Sequence, residues 1–224
     1  MLKILISNDD GYDSPGLEIL VENLKGVAEL FVVAPEINNS GAGCSITTNR
    51  PLKVIRHDNG FVSVNGKPAD CVHLGIHELT PWKPDLVISG INLGANMGED
   101  LLYSGTVGAA VGGRNLKYPP IAISVASYDA KDIDFISNKS SEIIDRIVKS
   151  ENTFKGKVIN INFPDIAEDE YKGIKATGIS RRDIPSRPIK LETESTKTNT
   201  YKYRYNLSGE PIKENSFVSI NTKN

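Results

Sequence analysis

The sequence is poor in the residues that build most metal and redox centres: two cysteines, Cys44 and Cys71, and three histidines among 224 residues. Two isolated cysteines form neither a disulfide framework nor a CxxC pair, so a reducing cytoplasm is the expected setting. No apolar run approaches the roughly 18 residues that cross a bilayer. The N-terminus runs straight into a strand-like segment without the architecture of a secretory leader. An excess of one charge is lacking too. With 26 Lys and Arg against 28 Asp and Glu the net charge is −2, which gives no electrostatic footprint for nucleic-acid polymer or an anionic membrane. No G-x-G-x-x-G follows the first apolar segment and no G-x-x-x-x-G-K-[ST] occurs anywhere. Dinucleotide dehydrogenases and P-loop NTPases are therefore not expected. The D-x-D of aspartyl-nucleophile phosphatases is missing as well, since Gly11 and Tyr12 stand two residues after Asp9 and Asp10.

What is present is the composition of an ordinary globular chain, 39% apolar and 24% charged, long enough for one large α/β domain or one domain with an appendage. Leu2 to Ile6 reads as a strand buried on both faces of a parallel sheet. Ser14-Pro15 starts a helix with Leu17, Leu20, Val21 and Leu24 at helical spacing, and Gly26 ends it. Leu30 to Ala34 is a second buried strand, which completes a βαβ unit with an expected right-handed crossover. A hairpin is expected over Leu52 to Arg56 and Phe61 to Val64, and a helix from about Ala69 to Leu79. Further strands fall at Leu86 to Ser89, Ile121 to Val125 and Val158 to Ile161, with helices at about Thr106 to Arg114 and Ser137 to Lys149. From Arg181 to Asn215 the texture turns polar, and Tyr201-Lys-Tyr-Arg-Tyr205 alternates as an arm whose aromatic face needs a partner.

Three loops meet at one sheet edge if the strands at 2–6, 30–34 and 86–89 are neighbours. They bring Asp9 and Asp10, Ser40, and Asn92 with Asn96. In open α/β sheets that edge is where ligands bind. All five offer oxygen, and none is His or Cys, which suits Mg²⁺ or Mn²⁺ rather than zinc. Turn chemistry is the competing account of Asn92 and Asn96, and of Asn8-Asp9-Asp10-Gly11. Ser104-Gly105-Thr106 opens a helix, where free amides and hydroxyls form an anion site suited to phosphate, unless Ser104 or Thr106 is only a cap. The remaining polar residues read as structural. His73 and His77 lack the glutamate of a zincin, His57 belongs to the surface, Cys71 to the core, and Asp70 caps a helix. Arg181-Arg182-Asp183 reads as a solvated run.

Five segments in order resemble the SurE family, the survival protein E nucleotidases: S-N-D-D-G-Y-D-S-P-G (7–16), V-V-A-P-E-I-N-N-S-G (32–41), A-D-C-V-H-L-G (69–75), P-D-L-V-I-S-G-I-N-L-G-A-N-M-G (84–98) and Y-S-G-T-V-G-A-A (103–110). The likeness runs over roughly residues 1 to 165. It implies a Rossmann-like three-layer α/β sandwich with a mainly parallel sheet. The whole chain would form one domain whose residues 181–216 extend as a β-hairpin arm, and a homo-oligomer, dimer or tetramer, would be built through that arm. The implied activity is metal-dependent hydrolysis of nucleoside 5′-monophosphates, with 3′-monophosphates and short polyphosphate as further substrates. The metal ligands fall on Asp9, Asp10, Ser40 and Asn92, around one Mg²⁺ or Mn²⁺. The phosphate contacts fall on Asn96, Ser104, Gly105 and Thr106, with Asp9, Asp10 and Asn96 as the catalytic set. A nucleotide-binding regulator without chemistry, or a phosphatase of other esters, would use the same loops. The chain departs from the family after Ser219, where a P-L-x-x-D-L-T-like segment is usual.

Overall fold

The computed structural model of the protein describes residues 1–150, 154, 156–181, 188–195 and 201–206. Seven strands form one sheet in the order β3-β4-β2-β1-β5-β6-β7. They are β1 (Leu2–Ser7), β2 (Ala28–Pro35), β3 (Val54–Arg56), β4 (Val62–Val64), β5 (Leu86–Leu93), β6 (Ile121–Val125) and β7 (Ile159–Phe163). All neighbouring pairs are parallel except the β3–β4 hairpin at the edge. From β1 the chain moves outward through β2 to β4 and β3, then returns to the other side of β1 at β5. The connections after β1 and β5 thus leave the sheet in opposite directions, and a crevice opens at the carboxyl ends of these two central strands.

Helices α1 (Pro15–Leu24) and α4 (Ile133–Lys149) pack on one face, α2 (Pro68–Leu74) and α3 (Gly105–Gly112) on the other. Strand alternation divides the core between them. Ile4, Ile6, Leu86, Ile88, Ile121 and Ile123 meet α1 and α4, while Leu5, Val33 and Val87 meet Cys71, Val72 and Ala109 from α2 and α3. Both faces are covered, so β1, β5 and β6 are near-continuous apolar runs rather than alternating ones.

The expected strands and helices of the sheet region are present with altered bounds, and three departures have local causes. The helix expected over 69–79 is α-helical only to Leu74 and continues as a π-helical turn, Gly75–Leu79. Its start is fixed by Asp70, whose carboxylate accepts from the Lys67 amide at 2.8 Å and also ties down the Thr47 amide at 2.9 Å. Helix α4 starts four residues before Ser137, because Asp132 accepts from the Phe135 amide at 2.9 Å and so caps it earlier. In β5 the register against β6 slips by one residue between Ser89 and Asn92. Gly90 sits in that bulge at φ +138°, and a Cβ there would come within 2.4 Å of the Ile123 carbonyl oxygen.

Contacts divide the chain into Met1–Ile174 and Lys175–Asn224. In the second unit β8 (Ile189–Ser195) and β9 (Tyr201–Asn206) pair antiparallel, the pairing expected of the arm. Arg182, Asp183 and the segment after Asn206 lie outside the described residues. Among the described residues, no helix is long and apolar enough to cross a membrane.

Candidate active site

Asn8 shapes the loop that carries the two carboxylates. Its amide donates to the Gly11 carbonyl oxygen at 2.8 Å and to Ser14 Oγ at 2.6 Å, and its own oxygen accepts from the Gly11 amide at 3.3 Å. These bonds order the turn that follows β1 and carries Asp9 and Asp10. Asp9 is 4% exposed. Its Oδ1 accepts a 2.6 Å hydrogen bond from Thr106 Oγ1, and the Thr106 amide points to the same carboxylate. Asp10 is half-buried and accepts from Asn38 Nδ2 at 3.1 Å and from the Leu93 amide.

Both carboxyls are pushed toward their protonated forms. Burial pushes the Asp9 carboxyl up from its ordinary range, and the hydrogen bonds from Thr106 only partly offset that. Burial, then the neighbouring Asp9 charge, pushes Asp10 up to about 6. A hard cation would remove both penalties.

The structure brings the other expected ligands to the same edge. The loop after β2 is pinned to Asp9 by a hydrogen bond from the Asn39 amide to the Asp9 carbonyl oxygen at 2.7 Å. Ser40 follows, its amide donating to Asn38 Oδ1 at 2.8 Å, so one asparagine side chain links Ser40 to Asp10. Asn92 lies at the end of β5, and its amide donates to the Gly94 carbonyl oxygen at 2.7 Å. With the amide committed, the carbonyl oxygen is the group Asn92 can offer a metal. Two carboxylates, one hydroxyl and one amide oxygen form a donor set for Mg²⁺ or Mn²⁺. No cluster of three His, Cys, Asp or Glu side chains occurs among the described residues, so a cation at Asp9 and Asp10 would need neutral oxygen donors as well.

The start of α3 lies beside Asp9, and its polar groups are hydrogen-bonded within the chain. Ser104 Oγ caps the Val107 amide at 3.1 Å, the ordinary N-cap role. Thr106 is wholly buried, and its hydroxyl and amide both serve Asp9. The helix end that suggested a phosphate seat thus already stabilises one of the protein's own carboxylates. Gly105 makes this approach possible, since a Cβ there would lie 2.7 Å from Asp9 Cβ and Oδ2. Asn96 is buried beside them and donates to Ser124 Oγ at 2.8 Å and Thr106 Oγ1 at 3.3 Å. A crevice of about 410 Å³ adjoins Asp10, lined by Asp13, Ser14, Leu93 and Tyr128 among others.

The lesser candidates resolve as structure, with one correction. Cys71 is in the core, and burial pushes its thiol up. The His73 and His77 rings lie 4.7 Å apart on the exposed side of the helix. His57 is not a free surface residue. Its ring stacks on Tyr12 at 4.0 Å, and Nε2 lies 2.9 Å from Ser63 Oγ, so it braces the loop that carries Asp9 and Asp10. Sequence reasoning passed over Asn38 and the asparagines of β7. A polar residue at every second position of an otherwise apolar strand was the available signal for the latter.

A family model described as survival protein SurE matches residues 4–186. The 5′-nucleotidase SurE of Methylococcus capsulatus is 46% identical over 182 residues, which cover 81% of this chain and 72% of that protein. The crystal structure of the SurE protein from Aquifex aeolicus aligns with a TM-score of 0.74 at 38% identity, covering 91% of this chain and 81% of that one.

Proposed function

The chain belongs to the SurE family, and on that footing we propose that it is a metal-dependent phosphomonoesterase releasing phosphate from nucleoside 5′-monophosphates. Nucleoside 3′-monophosphates and short polyphosphate are further substrates under the same reading. The observation that carries it is the pair of adjacent carboxylates, one buried and both shifted upward, among neutral oxygen donors at the switch point of the sheet. Asp9, Asp10, Ser40 and Asn92 would hold one Mg²⁺ or Mn²⁺. When bound, the metal supplies positive charge to a phosphoryl oxygen and lowers the pKa of a coordinated water.

The rest is done by the chain. Thr106 orients Asp9 through its 2.6 Å hydrogen bond. Asn96, Ser104, Gly105 and Thr106 line the phosphate side, where amide groups at a helix start favour the charge that develops on equatorial oxygens. The crevice beside Asp10 leaves room for the ester group. Cytoplasmic location fits the free thiols Cys44 and Cys71. A homo-oligomer assembled through the β8–β9 arm is the corresponding quaternary proposal, read by light scattering.

The test is phosphate release from a panel of nucleoside 5′- and 3′-monophosphates and polyphosphate, with Mn²⁺ or Mg²⁺. Turnover that stops on chelation and falls by about 10²-fold or more in Asp9→Asn is the expected result. Retained metal-dependent turnover of AMP by Asp9→Asn would sink the assignment. Tight nucleotide binding without phosphate release would instead make the protein a regulator.

A further inference from the structure

Strand β7 reads Ile159-Asn160-Ile161-Asn162-Phe163. Its apolar residues join the α1/α4 core, so alternation puts both asparagines on the α3 side. Both reach the backbone of a single residue more than 60 positions away. The Asn96 amide donates to Asn162 Oδ1 at 2.8 Å. The Asn96 carbonyl oxygen accepts from Asn162 Nδ2 and from Asn160 Nδ2, each at 2.9 Å. From there the chain of hydrogen bonds continues. The Asn96 side chain donates to Ser124 Oγ and Thr106 Oγ1, and Thr106 donates to Asp9 Oδ1. The path runs from β7 to the end of β1, three strands away.

We infer that Asn160 and Asn162 are positioning residues of the active site, which clamp the backbone of Asn96 so that Asn96 holds Thr106 and Thr106 holds Asp9. A fold that needed only a covered sheet would place aliphatic side chains at both positions, as β7 does at Ile159, Ile161 and Phe163. Polar groups here carry a desolvation cost. The buried Asn160 Oδ1 has no hydrogen-bond partner among the described residues. It belongs to one register row, Ser7–Ser89–Ala122–Asn160, in which the Ser7 and Ser89 hydroxyls are likewise buried and unpartnered. Among the described residues the buried side-chain polar atoms without a partner fall together on this row, beneath α3, and a site is where local rules of core composition are expected to break. Outer residues that orient metal ligands typically matter by about ten- to a hundred-fold in metal affinity or activity.

A double-mutant cycle tests the chain of contacts. Mn²⁺ affinity is measured by calorimetry, and kcat and KM for AMP are measured on wild type, Asn162→Ala, Thr106→Val and the pair, with thermal unfolding of each. Each single substitution is expected to lower Mn²⁺ affinity and kcat by about ten- to a hundred-fold, with KM within about threefold. The pair should be no worse than the poorer single by more than about threefold, because both remove the same support. Thr106→Ser, which keeps the hydroxyl, should restore most of the loss. Effects that multiply, or a lowered Tm with unchanged affinity and kcat, would overturn the inference. Should Asn162→Ala not fold, Asn160→Ala, which leaves both Asn162 contacts in place, carries the same cycle. Only the kinetic arm rests on the phosphatase reading. If wild type releases phosphate from no nucleotide, that reading falls, while coupled losses of Mn²⁺ affinity still support the clamp and uncoupled or absent ones overturn it.

Discussion

The two faces of the sheet solve opposite problems. The α1/α4 face is lined by large branched side chains, with Ile4, Ile6, Leu17, Leu20, Leu86, Ile88, Ile121 and Ile123 all 0–1% exposed. The α2/α3 face begins in the same way at Leu5 and Val87 but turns polar toward the carboxyl ends, through Ser7, Ser89, Ser124, Asn160 and Asn162. Its covering helix α3 reads G-T-V-G-A-A-V-G, and those small residues let it descend onto Asp9 and the loop at Gly43. One face holds the fold together. The other holds charged and polar groups in place, at a cost in stability that the first face must offset.

If that division is right, damage to one face should leave the other's function alone. Ile88→Ala removes a wholly buried side chain from the α1/α4 face and is expected to cost about 3 kcal/mol, lowering Tm by about 6–12 °C. KM for a nucleotide and Mn²⁺ affinity should stay unchanged below the transition. A large loss of Mn²⁺ affinity in the folded variant would break the comparison.

Gly105→Ala asks the converse. Its Cβ would fall 2.7 Å from the Asp9 carboxylate, so Asp9 must shift. A loss of Mn²⁺ affinity of about ten- to a hundred-fold is expected, with a smaller change in Tm than Ile88→Ala gives. Wild-type affinity in this variant would show that Asp9 is not held by the start of α3.

Asp10→Asn tests whether the site is a burden on the empty protein. The Asp10 carboxyl is held at about 6 in the folded chain, against about 3.9 when unfolded. The folded state therefore keeps this proton to higher pH. The stability that this group contributes is full below pH 3.9 and is lost as pH rises through 6. Asparagine stays neutral throughout. The metal-free variant should thus match wild type near pH 4 and exceed it at pH 7.5. Solvent screening of this half-exposed group keeps the gain to about 1 kcal/mol, or about 2–4 °C. Mn²⁺ should raise the Tm of wild type and leave that of the variant nearly unmoved. Equal unfolding temperatures at pH 7.5 would remove the electrostatic argument.

The smallest effect is expected for Ser89→Ala. The hydroxyl is buried without a partner among the described residues, so its removal should raise stability by about 0.5–1 kcal/mol, read as a slightly higher denaturant midpoint. A lower midpoint would show that the polar row beneath α3 contributes to packing.

The sequence by itself determined the sheet, the helices and the charged half of the site. Apolar runs of strand length, a Ser-Pro helix start and Asp9-Asp10 at the end of the first strand are local signals, each written within a few consecutive residues. Tertiary structure alone decided what those groups do to one another. Asn160 and Asn162 look like any polar positions of an outer strand until β7 is placed beside β6, where they meet the backbone of Asn96. That Thr106 also holds Asp9 emerges only when α3 is lowered onto β1 and its hydroxyl is found 2.6 Å from that carboxylate. His57 looks exposed until Tyr12 covers it. Hydrogen bonds form over about 3 Å and depend on angle, while these partners are separated by tens of residues in the chain. Periodicity specifies which face a side chain joins. Only the packing of helices on the sheet specifies which atom it meets there.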